Sequence, residues 1–146
     1  MAILKHIAVK NADYSEGQRY LIFKHDEKTG KPILDENGNM QFRDNFFLDG
    51  INCDAFTFDT ECMELNTRYG KNQNYDEIKS HHYIISYDPK DANKELTGER
   101  AQELGLEYTK KYFPKHQALA CTHTDGHNDS GNIHTHIVIN FLRNAE

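Results

Sequence analysis

The sequence predicts an α+β domain in which an antiparallel β-sheet carries helices packed on one face. The main observation is the order of the predicted elements, which runs strand, helix, hairpin, helix, strand, helix and two closing strands. With 146 residues and 11% aromatic side chains, the chain can bury one substantial core. No internal repeat or Pro/Ser-rich linker divides it, so residues 1–146 are treated as one folded unit.

The first third of the chain predicts a strand, a helix and a hairpin. Residues 2–9 alternate weakly between apolar and polar side chains, as strands do. An acidic capping box then opens a helix over about 14–26. Asn37 and Gly38 separate two short apolar segments, and this pair predicts a hairpin turn within 32–42.

Two further helices follow from apolar residues spaced three and four apart. The first spans 54–69 and stops at Gly70, and the second begins after the capping residue Thr97 and ends before Pro114. Strands are predicted over 80–87, 117–123 and 132–140. The apolar helix faces are Phe58, Cys62, Leu65 and Tyr69 in the first helix, and Ala101, Leu104, Tyr108 and Tyr112 in the second.

Composition excludes several classes of protein. Apolar runs never exceed four residues, far below the roughly 20 that span a bilayer, and no signal-peptide core follows Met1, so we expect a soluble cytoplasmic protein. Three cysteines without Cys-x-x-Cys spacing predict reduced thiols. The net charge of −6 means that a nucleic acid must be bound by a local basic surface.

Histidines near the C-terminus form the most informative pattern. His134 and His136 are two residues apart in a predicted strand, so both imidazoles project from one face. His123 ends the preceding strand, and the turn at 125–132 brings it back beside them. Three imidazoles with open coordination positions are typical of a catalytic metal site. The alternative is that His134 and His136 are simply two half-buried side chains with hydrogen-bond partners.

This segment resembles the histidine motif of relaxases, the conjugative mobilisation nucleases of the HUH superfamily, and in particular the P-type mobilisation class that includes VirD-like proteins. The resemblance implies the HUH relaxase fold and makes the chain the N-terminal catalytic fragment of a longer protein. The residues that match the motif are His123, Asp125, His134, His136 and Asn140.

The N-terminal helix carries a second part of the resemblance. Relaxases place the nucleophilic tyrosine there, commonly in a Tyr-Leu pair, which assigns that role to Tyr20. Tyr14 lies about 240° away around a helix and is expected to be an exposed or capping aromatic. The apolar neighbours of Tyr20 equally suit a core position, and His25 is a lesser candidate because some relaxases use histidine.

Relaxase chemistry implies metal-dependent, site- and strand-specific nicking at the transfer origin of a plasmid or integrative element. The intermediate is a 5′-phosphotyrosyl ester, and the strand is later transferred or rejoined. The resemblance makes His123, His134 and His136 the metal ligands, with Mg²⁺ or Mn²⁺ as the expected ion; zinc, nickel or cobalt also suits imidazole ligands. Asp125 either orients a ligand imidazole or belongs to the turn, and His127 is assigned to the turn.

The remaining assignments concern DNA and the other histidines. His82 to Ser86 resembles the middle sheet strand of relaxases; of His81 and His82 one is expected in the core, and neither is assigned to the metal. Lys79, Lys110 and Lys111 are expected to be solvated.

The segment 68–75 is rich in cations, aromatics and amides, which predicts a loop that binds single-stranded DNA, although an ordinary polar loop has the same composition. Its DNA-binding candidates are Arg68, Lys71, Asn72 and Tyr75.

Expected partners are single-stranded DNA at a transfer origin, accessory relaxosome proteins and a coupling protein, in the bacterial cytoplasm. Three alternatives stay open. A zinc hydrolase would use the same imidazoles to activate water, and a non-catalytic module would bind DNA or metal without cutting. A rolling-circle replication initiator places its tyrosine after the histidine pair, whereas no tyrosine follows Tyr112 here.

Overall fold

The computed structural model describes residues 2–10, 14–24, 26, 28–29, 31–42, 46–70, 78–87, 97–124 and 133–143. Strands and helices alternate along most of this range, as the sequence predicts. The elements in chain order are β1 (Ala2–Val9), α1 (Tyr14–Ile22), β2 (Phe46–Ile51), α2 (Phe58–Tyr69), β3 (Ser80–Tyr87), α3 (Gly98–Tyr112), β4 (His116–His123) and β5 (His134–Arg143).

The five strands form one sheet in the order β1-β3-β5-β4-β2, and every neighbouring pair is antiparallel. The α+β class with an antiparallel sheet is therefore confirmed. β5 lies at the centre of the sheet, between β3 and β4. Side chains of β5 consequently have neighbours on both sides, which suits a site built from several strands.

Helices cover both faces of the sheet, so the prediction that they pack on one face was wrong. α1 and α2 contribute Leu21 and Phe58 to a core cluster with Cys121 and Val138. α3 packs on the opposite face, where Gly105 approaches Thr135. The physical reason is that β4 is buried along almost its whole length, and a strand buried on both faces needs a layer on each side.

The buried face of α3 also differs from the prediction. Ala101, Gly105 and Thr109 are buried, whereas Tyr108 is only partly buried and Tyr112 is 58% exposed. Small side chains at four-residue spacing let the helix approach the sheet closely, so a β-carbon on residue 105 would come within 2.6 Å of a methyl group on β5. Apolar periodicity alone selects the bulky residues and misses such a contact.

Most boundaries agree with the sequence analysis. The hairpin is present as a Leu34–Met40 bridge, and Gly38 has the positive φ of 81° that its turn requires. Gly70 ends α2 with φ 61°, although this helix begins at residue 58 rather than 54. α1 ends at residue 22, not 26, and β2 was not predicted. No helix in the described ranges is both long and apolar enough to cross a bilayer.

Candidate metal and nuclease site

Three imidazoles lie on the sheet face that carries α1 and α2. His134 and His136 share this face because they are two residues apart on β5, and His123 of β4 is paired directly with His134. The ring centroids of His123 and His136 are 4.9 Å apart, and those of His134 and His136 are 6.4 Å apart. The antiparallel β4–β5 pair thus brings together the three histidines that the sequence singled out.

His123 also ties this cluster to α1. Its side chain is 3% exposed, and Nε2 donates a hydrogen bond of 2.8 Å to the main-chain carbonyl of Leu21. Leu21 lies in the last turn of α1, where the carbonyls have no N–H partner within the helix. The thiol of Cys121 donates to the same carbonyl over 3.7 Å. The C-terminal turn of α1 is therefore fixed directly over the imidazoles.

A fourth histidine, His82 of β3, joins the cluster, and sequence analysis missed it. Its Nε2 lies 3.1 Å from Nδ1 of His136. Burial, with a smaller contribution from the positive charge of Lys5, lowers the pKa of His82 from 6.5 to about 4, so its imidazole is neutral at physiological pH. His81 points to the opposite face, where Nδ1 lies 2.7 Å from Nε2 of His6. The register of β3 against β5, in which Ile84 pairs with His136, puts His82 rather than His81 on the face of the cluster.

The donor chemistry of the cluster fits a metal ion. His123, His134 and His136 are imidazoles on one face, and a ligating histidine usually donates its other ring N–H to a carbonyl or carboxylate, as His123 does to Leu21. Within the described residues, however, no group of three or more His, Cys, Asp or Glu side chains is arranged to hold an ion. Asp125 and His127 lie outside those residues.

Tyr14 is buried, which corrects the expectation of an exposed or capping aromatic. It is 5% exposed, and its hydroxyl lies 2.8 Å from the carbonyl oxygen of Lys79 and 3.0 Å from Oδ1 of Asn140. The same hydroxyl accepts a hydrogen bond of 2.8 Å from Nδ2 of Asn66. A phenol held in this way by α2, β5 and the residue before β3 anchors α1 to the sheet and is poorly suited to attack DNA.

Asn140 is the centre of this buried polar network. Its side chain is fully buried, and Nδ2 donates 3.0 Å to Oε1 of Gln117 on β4. Asn140 therefore neither ends β5, which continues to Arg143, nor lies at the surface. It joins Tyr14 to the sheet four residues after His136.

The other predicted site residues are placed as follows. Tyr20 lies in α1, one residue before Leu21, and only its backbone is described. Arg68 is exposed in the last turn of α2. Lys79 was expected in solvent but is 2% exposed; its Nζ donates to the carbonyl of Lys10 over 3.4 Å, and its main-chain N–H donates to the carbonyl of Val9. His25, Lys71, Asn72 and Tyr75 lie outside the described residues.

Comparison with known proteins identifies the family. Residues 33–145 match the family described as "Relaxase: MobA/VirD2-like, nuclease domain", so the chain belongs to this relaxase family. The match contains all three motif histidines but begins after α1, so it does not bear on Tyr20.

Curated relatives agree with the family match. The chain is similar to a protein named "Protein rlx" from Staphylococcus aureus, with 37% identity over 91 residues, which is 62% of this chain and 25% of the relative. A second Staphylococcus aureus "Protein rlx" is 36% identical over 92 residues, covering 63% of the chain and 24% of the relative. The matched segment thus spans about a quarter of these relatives. No solved structure matches the chain.

Proposed function

We propose that this chain is the catalytic domain of a conjugative relaxase, which nicks one DNA strand at a transfer origin and carries the cut end as a 5′-phosphotyrosyl ester. The observation that carries the proposal is the hydrogen bond between His123 and Leu21, because it places the helix of Tyr20 against the imidazole cluster. Membership of the relaxase family supports the same function.

His123, His134 and His136 would hold the divalent ion that the family implies. When bound, such an ion offsets negative charge on the non-bridging oxygens of the scissile phosphate. The chain itself contributes the scaffold: adjacent strands fix His123 and His136 side by side, and burial keeps His123 away from bulk water. Asp125, which follows β4 in sequence, is proposed to orient one of the imidazoles. Mg²⁺ and Mn²⁺ are the ions to test first.

Tyr20 is proposed as the nucleophile. Its phenolic oxygen would form a bond to phosphorus while the bond from phosphorus to the 3′ oxygen breaks, leaving a free 3′-hydroxyl and a phosphotyrosine. A free phenol has a pKa of about 10, so its proton must be accepted as the bond forms. Of the two tyrosines in α1, Tyr14 is buried in a hydrogen-bonded network, which supports Tyr20.

The DNA substrate is proposed to be single-stranded and to contact Arg68 together with Lys71, Asn72 and Tyr75. Arg68 is exposed at the C-terminal end of α2, on a chain with net charge −6, so binding relies on local rather than overall charge. Accessory relaxosome proteins and a coupling protein are proposed partners of the full-length protein.

The test is to incubate the chain with labelled single-stranded oligonucleotides from candidate transfer origins, with Mn²⁺ or with a chelator, and to analyse the protein by mass spectrometry. We expect a covalent DNA adduct on Tyr20 that the chelator prevents. Cleavage without an adduct would instead indicate a zinc hydrolase that activates water, and DNA binding without cleavage would indicate a non-catalytic module. An adduct on another residue would reassign the nucleophile.

A further inference from the structure

We propose that His82 is a positioning residue that fixes the tautomer of His136, so that the Nε2 lone pair of His136 is the one presented to a metal ion. This inference rests on the metal-binding role proposed for His136. It assigns a function to His82, which the sequence analysis did not place at the metal site.

The geometry of the pair supports this role. Nε2 of His82 lies 3.1 Å from Nδ1 of His136, within hydrogen-bond distance, and the ring centroids are 5.2 Å apart. The two residues lie on neighbouring strands and on the same sheet face, because Ile84 is the direct partner of His136. His82 therefore contacts His136 from the side opposite His123, whose strand pairs with the other edge of β5.

The tautomer of His136 depends on which of the two rings donates the hydrogen bond. A hydrogen bond between two neutral imidazoles requires one ring to donate its N–H and the other to accept through its lone pair. If Nδ1 of His136 donates to His82, the lone pair of His136 is on Nε2, ready for an ion. If His82 donates instead, the His136 proton is on Nε2 and blocks coordination there. Ligating histidines generally donate their other N–H to an acceptor, which favours the first arrangement.

His123 and His136 have different groups facing one of their ring nitrogens. His123 is already oriented by the carbonyl of Leu21. For His136, the group within hydrogen-bond distance of Nδ1 is the imidazole of His82 on the adjacent strand. That imidazole supplies the acceptor that the proposed tautomer requires.

The first test needs no substitution and no metal. Long-range ¹H–¹⁵N correlation spectra of the metal-free chain, assigned for His136, report which ring nitrogen carries the proton. We expect the proton on Nδ1 near neutral pH. A proton on Nε2 in the wild-type chain would overturn the proposal, whether or not the chain nicks DNA.

The second test uses three variants and calorimetric titration with Mn²⁺. His82→Leu removes the acceptor, and we expect Mn²⁺ affinity to fall by about 10- to 100-fold. His82→Gln restores an amide oxygen near the position of Nε2, and we expect it to recover most of the affinity and the Nδ1 tautomer. His81→Leu changes the adjacent residue on the opposite face and should bind Mn²⁺ like the wild type.

The outcomes separate the proposal from its alternatives. Unchanged affinity in His82→Leu, with the fold verified by its amide spectrum, would contradict a positioning role. Equal losses in His82→Leu and His82→Gln would show that the imidazole itself coordinates the ion. If the wild-type chain has the Nδ1 tautomer and binds Mn²⁺ but never nicks DNA, the proposed function fails while the role of His82 stands.

Discussion

Nε2 of His123 donates a hydrogen bond of 2.8 Å to the main-chain oxygen of Leu21, and this contact joins the C-terminal turn of α1 to β4. A side chain from the imidazole cluster thus stabilises the helix that precedes it by about a hundred residues in sequence. The bond satisfies a helix-end carbonyl and fixes the His123 ring at the same time. The proposed metal binding and the position of α1, the helix that contains Tyr20, are consequently linked through one histidine.

Replacing His123 by alanine should loosen α1 as well as weaken metal binding. Without the imidazole donor, the Leu21 carbonyl loses its partner, and the last turn of the helix should open more often. We expect faster amide hydrogen exchange at the end of α1 in the metal-free protein, by about tenfold for a bond worth roughly 1.4 kcal/mol. His134→Ala is the matched control, since it removes an imidazole of β5 and should leave exchange in α1 unchanged.

Tyr14→Phe should destabilise the fold but preserve the chemistry. The substitution keeps the ring and removes the hydroxyl that contacts Lys79, Asn140 and Asn66. Leaving these buried groups without that partner should lower the free energy of unfolding by about 1–3 kcal/mol, measured by urea denaturation. Nicking per folded molecule should persist. Complete loss of nicking in a stable Tyr14→Phe protein would make Tyr14 part of the catalytic machinery.

Tyr20→Phe should abolish nicking, whereas Tyr14→Phe should preserve it. Removing the nucleophilic oxygen should abolish both cleavage and the covalent adduct, while affinity for the same labelled oligonucleotide, measured by fluorescence anisotropy, stays within about twofold. Retained cleavage by this variant would remove Tyr20 from the mechanism. Run in parallel, the two tyrosine variants separate the structural phenol of α1 from the reactive one.

Local sequence signals predicted those parts of the site that lie on strands consecutive in the chain, β4 and β5. His134 and His136 share a face because strand geometry alternates, and the short stretch of sequence between β4 and β5 favours their antiparallel pairing, which the structure has. The pairing of β3 with β5 is non-local, and the chain between them does not encode it as a hairpin. For that reason the sequence could not choose His82 over His81 for the cluster.

Side-chain packing accounts for the other differences between the predicted and the observed fold. Two helical layers could not be predicted from hydropathy, because small and polar residues of β4 and β5 are buried without forming an apolar pattern. Ala120 and Thr135, for example, are both fully buried. Hydropathy analysis also misses buried polar side chains that join a helix to the sheet. Gln102 of α3 is one of them, and its Nε2 donates to the carbonyl of Ala120 over 3.0 Å. Burial of Tyr14 depends in the same way on amide partners, Asn66 and Asn140, that are distant in sequence.

Gly105→Ala should test the close approach of α3 to the sheet. Alanine favours a helix over glycine by about 1 kcal/mol, so the substitution would stabilise an exposed helix. Here the new methyl group would lie 2.6 Å from Cγ2 of Thr135, and the helix or the strand must shift. We expect a net loss of about 1–3 kcal/mol in the free energy of unfolding. Gly105→Ala combined with Thr135→Ser, which removes that methyl group, should recover part of the loss; no recovery would place the strain elsewhere.

Acid should destabilise the metal-free protein partly through His82. Its pKa is lowered to about 4 by burial, whereas an unfolded chain restores the ordinary value of 6.5, so the unfolded state binds more protons between these two pH values. The stabilising contribution of neutral His82 is complete above pH 6.5 and is lost as the pH falls toward 4. Between pH 7 and pH 5 this loss amounts to about 2 kcal/mol. Urea denaturation at both pH values, with chelator present, should therefore show a weaker pH dependence for His82→Gln than for the wild type. Equal pH dependence in the two proteins would mean that other groups account for the acid sensitivity.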